Sequence, residues 1–188
     1  MRKNILSIKK IGKLCATTVM CMSLLVGCGG NDEVETTTAK NVSLNEVHTA
    51  VKEAYGEEYI PSYTFDEEYI VDVFGLKSDM YDEIIAEGPK VSFNIDTFIA
   101  VKAKSGKGKD VEKVLSDYRD SQINDAMQYP VNAVKIQASK VIAYGDYVFF
   151  VCLGEIPQEI QEKGDEAILE EAKKDNKIAE DTIKKIFE

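Results

Sequence analysis

The run Tyr147-Val-Phe-Phe-Val-Cys-Leu153 constrains this chain more than any other segment. It is apolar throughout. Side chains alternate faces along a strand, so such a run is content only where both faces of a sheet are covered. It reads as a central strand. Val141-Ile-Ala-Tyr144 precedes it across Gly145-Asp146. Two β-rich runs around a two-residue turn that contains glycine form a hairpin. Whatever else the chain does, it must supply layers that bury this hairpin.

Helical patterns supply them. Ser43-Leu-Asn-Glu46 has the spacing of a capping box, and Leu44, Val47, Val51, Ala54 and Tyr55 recur at helical intervals, predicting a helix over 44–56. Pro61 breaks the chain. Asp66 can cap a second short helix over 67–73, stopped near Gly75. Ser78 or Asp79 opens a third through Ile84-Ile85, closed by Gly88-Pro89. The period then changes to two: Val91, Phe93 and Ile95 alternate with Ser92 and Asn94, and Phe98, Ala100, Lys102 and Lys104 interleave with Ile99, Val101 and Ala103. One bulged strand, or two strands meeting at Asp96-Thr97, both fit. Asp-Thr is a weak tight-turn pair, which favours an irregular link and a main strand over 98–104.

Ser105-Gly-Lys-Gly-Lys-Asp110 is a turn whose Asp110 can cap a helix over 110–123. Tyr129-Pro130 breaks the chain before a short helix over 130–137. Beyond 157 the sparse apolar residues fit helices near 157–173 and 177–187. The predicted fold is α+β: a small, mostly antiparallel sheet of three to four strands packed with several helices, helical at both ends of a single domain over 43–188. A domain of that size buries close to 70% of its unfolded surface, enough for a real core.

Upstream, Arg2, Lys3, Lys9, Lys10 and Lys13 form a positive segment with no acid among them, and Leu14 to Val26 follows as an apolar run. At ~1.5 Å per residue that run reaches about 20 Å, short of the ~30 Å hydrocarbon core, which favours a cleaved signal over a permanent span. Leu25-Val26-Gly27-Cys28 resembles the bacterial lipobox. That resemblance implies a signal peptide over 1–27, cleavage before Cys28, and lipidation of Cys28 with acyl chains of the palmitate class. Two or more such chains anchor stably where one would not. Residues 28–42 then read as the lipidated cysteine and a flexible tether, spanning roughly 20 Å on average.

The net charge of −10 argues against nucleic acid as a partner, because phosphate binding needs a basic surface. Without residues 1–27 the chain keeps 18 basic against 33 acidic residues, a net charge of −15. That charge repels an anionic bilayer and leaves attachment to the lipid on Cys28 alone. Cysteine use agrees: Cys15 and Cys21 leave with the signal, and Cys152 remains with no disulfide partner. Within its apolar run Cys152 reads as a small core residue.

Few residues suggest chemistry. Ser105 to Asp110 lies between a strand and a helix, yet it lacks the spacing and the hydroxyl of a phosphate-binding loop, so a solvated turn explains it. Lys102, Lys104, Lys107 and Lys109 remain a local basic cluster on an acidic chain, a weak candidate for a carboxylate ligand or an acidic partner patch. Lys102 and Lys104 would share one strand face. Asp66-Glu-Glu, Asp79, Asp82-Glu83 and Asp165-Glu166 lack calcium-loop spacing, and one histidine, His48, with one free cysteine makes a poor zinc site. No serine-nucleophile elbow is present. No catalytic residue, metal or cofactor is expected. Most of the nine tyrosines, Tyr55, Tyr118 and Tyr147 among them, sit at core-like spacings.

Phe98-Ile-Ala-Val-Lys-Ala-Lys-Ser-Gly-Lys107, then a helix, Tyr129-Pro130, and Gly145-Asp-Tyr-Val-Phe149 resemble, in order and spacing, a domain of unknown function found in small lipoproteins of low-GC Gram-positive bacteria. The resemblance spans roughly 44–154 and leaves 155–188 outside. It implies placement on the outer face of the cell membrane and no functional residue that can be carried over. The expectation is therefore a lipid-anchored extracytoplasmic domain, non-enzymatic, that binds an envelope protein. A small-ligand or solute-binding lipoprotein is the alternative, and an envelope hydrolase the third reading.

Overall fold

A computed structural model describes residues 41–188 apart from Ser92 and Ala126. The proposed signal, its cleavage point and Cys28 lie outside the described residues. The elements run α1 (Leu44–Tyr55), β1 (Tyr63–Thr64), α2 (Glu67–Asp72), β2 (Tyr81–Gly88), β3 (Thr97–Ala103), α3 (Gly108–Ile123), α4 (Pro130–Lys135), β4 (Lys140–Tyr144), β5 (Tyr147–Cys152), α5 (Gln158–Gln161) and α6 (Asp165–Phe187). The fold is α+β. Its sheet has five strands in the order β1-β2-β3-β5-β4, every pairing antiparallel.

The apolar run behaves as its composition requires. All of β5 is buried between β3 and β4. Alternate residues feed two cores. Phe98, Ala100, Phe149 and Val151 pack with Leu44, Val47 and Val51 of α1 and with Ala179 and Ile183 of α6. Ile99, Val101, Val148, Phe150 and Cys152 pack on the other face with Phe74, Leu76, Val111 and Leu115. A smaller cluster joins Val134, Ala138, Ile156, Ile168 and Ala172.

The sheet is larger than three to four strands because the third expected helix is a strand. Ile84 and Ile85 of β2 serve opposite cores, Ile85 with α1 and Ile84 with α3, which a period of two allows. Ser78 and Asp79, read as helix openers, lie in a turn in which the Met80 amide donates to the Lys77 carbonyl. Pairing with β3 overrides the local cap signal. The two-residue β1 adds the fifth strand. No strand forms at 91–95, and the main strand is 97–103, as the irregular-link reading holds.

The last two expected helical segments are also revised. A four-residue helix, α5, is followed by one continuous α6 of 23 residues. The polar gap at Asp175-Asn176 is no break: Asn176 is buried, accepts the Leu153 amide at 3.0 Å and donates to the Ala172 carbonyl. Smaller corrections concern caps. Ser43 is the N-cap of α1 but makes no side-chain capping bond. Asp66 does cap α2, accepting the Tyr69 amide at 2.9 Å. At the other boundary, Asn41 and Val42, read as the end of the tether, lie on the sheet: Val42 is buried and its amide donates to the Tyr147 hydroxyl.

Candidate functional site

Along the core that α3 covers, an aromatic series leads out to solvent. Phe150 of β5 meets Tyr118 edge-on at 5.2 Å, Tyr118 meets Phe74 at 4.9 Å, and Phe74 meets Phe65 and Tyr69 at 5.2 and 5.3 Å. Phe65 and Tyr69 stack at 4.4 Å, and Tyr63 closes the series against Phe65. Such pairs hold one another's orientation. The tip of the Phe65 ring also abuts Gly88, where a Cβ would come within 2.3 Å of it. The glycine lets an aromatic ring sit directly on β2.

All of these rings but Phe74 border an open groove of about 580 Å³. Tyr63, Phe65 and Tyr69 form one wall. The 89–97 link forms a second, with Asn132 of α4 holding the Phe93 carbonyl at 2.9 Å. The third is the end of α3 and the segment after it, with Gln122, Asp125, Met127, Gln128 and Tyr129. Met127 is 89% exposed, Tyr129 62% and Tyr63 48%, while Tyr69 and Val91 are also exposed. Most exposed large apolar side chains among the described residues therefore gather at one site, the pattern of a binding surface. Sequence spacing gave most tyrosines core-like positions, Tyr55, Tyr118 and Tyr147 among them. That holds for Tyr55 and Tyr147, which are buried; Tyr118 is half-buried and lines the groove, as do the exposed Tyr63, Tyr69 and Tyr129. The available signal was their position in or beside short connecting segments.

The lysine cluster lies elsewhere. Lys102 donates to the Asn41 side chain and lies 5.8 Å above the Tyr147 ring; Lys104 donates to the Ser78 carbonyl; Lys107 pairs with Asp110 at 2.8 Å; Lys109 is exposed. Three of the four ammonium groups thus go to three different partners on the chain. Asp110 is not the helix cap. The helix starts earlier, at Gly108, and the Asp146 carboxylate in the hairpin turn takes the amides of Gly106 at 3.1 Å and Gly108 at 3.1 Å. The loop that could have cradled a phosphate already holds this chain's own carboxylate. Gly108 is required there, because a Cβ would meet the Gly145 carbonyl at 2.2 Å.

Two polar clusters are structural in form. His48 bonds Glu87 at 2.9 Å, and the Tyr59 hydroxyl donates to the same carboxylate oxygen, fastening α1 to β2. Burial, with Glu87 beside it, raises the Tyr59 phenol. His48 stacks on Phe98 on the α1 face, whereas Cys152 belongs to the core on the opposite face, so the sheet separates the two. Burial pushes the Cys152 thiol up to about 12, the reverse of what a nucleophile needs. Buried Lys135 bonds Asp96 at 2.5 Å and the Gly154 carbonyl, and the Gly154 amide donates back to Asp96. Burial raises the Asp96 carboxyl and the Lys135 ammonium opposes it. Asp175 sits against Gly154 with one buried oxygen unpartnered, and desolvation lifts its carboxyl to about 6. Neither raised carboxyl lines the groove, and no group of three or more potential metal ligands occurs among the described residues.

Residues 54–153 match the family described as Domain of unknown function (DUF4358). The chain belongs to this family. The DUF4358 residues include all five strands and every residue lining the groove, and they stop before α5 and α6. Outside the family description, the chain is similar to Foldase protein PrsA 2 of Listeria innocua, 35% identical over 98 residues, covering 50% of this chain and 32% of the relative. Foldase protein PrsA 2 of Listeria monocytogenes is 34% identical over 96 residues, with the same coverage of 50% and 32%. The chain thus spans about a third of the length of the curated relatives it matches. No solved structure matches.

Proposed function

We propose that this protein is a lipid-anchored extracytoplasmic domain, non-enzymatic, that binds a protein partner through the aromatic groove. The observation that carries the binding is the groove itself: aromatic rings fixed by one another at its base, with Met127 and Tyr129 projecting from its rim. Side chains that project this far are covered by a macromolecule rather than enclosed around a solute. Lipidation at Cys28 and placement at the membrane rest on the lipobox resemblance and the apolar run before it. No helix among the described residues is long and apolar enough to cross a membrane. Similarity to proteins named foldases agrees with a partner that is a polypeptide.

The test has two arms. Cys28→Ala is expected to move the protein from the membrane pellet to the soluble fraction; retention in the pellet sinks the anchor. A photo-cross-linking residue at Met127 is expected to capture a protein in intact cells that the same residue at Lys184, on α6, does not. Equal capture from both positions sinks the groove as the contact. The second reading, a small-ligand module, draws on the groove volume of about 580 Å³, within the range of ligand sites. A thermal shift with a solute, and no cross-link from Met127, would favour it.

A further inference from the structure

The chemistry of the groove says which polypeptide it suits. Along the chain between groove residues Phe65 and Tyr69 lie Asp66, Glu67 and Glu68, all exposed, and Asp125 lines the opposite wall. Lys90 is the one basic residue in the lining. Exposed carboxylates thus flank the aromatic wall along the chain, on a protein whose net charge is −10. Aromatic faces attract guanidinium and ammonium groups, and a field of one sign draws in the opposite one. Asn94, Gln122 and Gln128 place amide side chains in the lining, able to donate to and accept from a peptide backbone. β1, which contributes Tyr63, ends the sheet and has both residues exposed, and among the described residues its outer edge carries no strand. An uncovered edge beside an apolar groove suits an added extended segment.

We propose that the groove takes an extended, unfolded polypeptide segment in which basic residues alternate with apolar ones, its backbone along β1 and its cations over the aromatic rings, drawn by the net negative charge of the chain. The proposal rests on the groove reading above and narrows it to one class of partner. A folded domain would have no free backbone for β1, and an acidic segment would meet Asp66, Glu67, Glu68 and Asp125.

Fluorescence anisotropy with the full chain tests this directly. The probes are a short labelled peptide alternating arginine and leucine, and its counterpart with glutamate for arginine. The arginine peptide is expected to bind at least about tenfold more tightly, and less tightly as salt rises. A Met127→Ser/Tyr129→Ser variant, altered only at exposed positions, is expected to lose about tenfold in affinity with its melting temperature kept. Equal affinity for both peptides overturns the cationic specificity and leaves the groove standing. Undiminished binding by the variant moves the site elsewhere and overturns both readings. Absence of binding by either peptide overturns the extended-segment proposal, while capture at Met127 in cells still decides the groove independently.

Discussion

The two faces of the sheet share the same strands and end differently. On one face α1 and the 23-residue α6 cover β3 and β5, and Val47, Val51, Phe98, Phe149, Ala179 and Ile183 are wholly buried. On the other, the 16-residue α3 sets Val111 and Leu115 over Val101 and Val148 but stops at Ile123, leaving the half-buried rings of Phe65 and Tyr118 at the edge of the groove. Nothing in strand composition marks one face as closed and the other as open; the length and placement of the covering helices decide it. Both faces hold buried cores, but only the α3 face ends in an open groove.

Truncation should separate the faces by size of effect. Phe149→Ala, in the closed core, is expected to cost about 3–5 kcal/mol in urea unfolding, because a large cavity opens where the structure cannot collapse. A cost below about 1 kcal/mol would show that the closed face is loosely packed. A smaller effect is expected at the seam between α6 and Gly154. The Asp175 carboxyl titrates at about 6 in the folded chain, above its ordinary value, so its protonated form favours the fold. That contribution is full below the unfolded value near 4 and is lost as pH rises through about 6. Asp175→Asn should therefore raise the melting temperature at about pH 7.5, with the gain fading as pH falls toward 4. A gain independent of pH would remove the buried charge as its cause. Smallest of all, Tyr129→Ser on the groove rim should change stability by no more than about 0.5 kcal/mol by the same urea measurement. A larger loss would make the rim part of the fold and weaken the contrast between the faces.

The hairpin at 141–153 and its buried second strand were legible because an all-apolar run beside a glycine turn admits few environments. Helix α1 was legible from its spacing alone. Strand β2 was not, since a cap-like Ser78-Asp79 and a closing Gly88-Pro89 surround only eight residues, and pairing with β3 settles so short a segment. Asp175-Asn176 looked like a gap between helices because its burial depends on Leu153 and Gly154, distant in sequence. The lysines drew attention by proximity along the chain, yet folding sends three of them to separate partners. The groove stayed hidden because its residues come from segments far apart in the chain.

By itself, then, the sequence determined a central apolar hairpin, an α+β class and an acidic chain, because these depend on local pattern, composition and charge. Only tertiary structure decided the fifth strand, the unbroken last helix, the capture of the glycine loop by Asp146 and the gathering of exposed aromatics. Each of these depends on contacts between residues far apart in the chain, whose energies no local pattern carries.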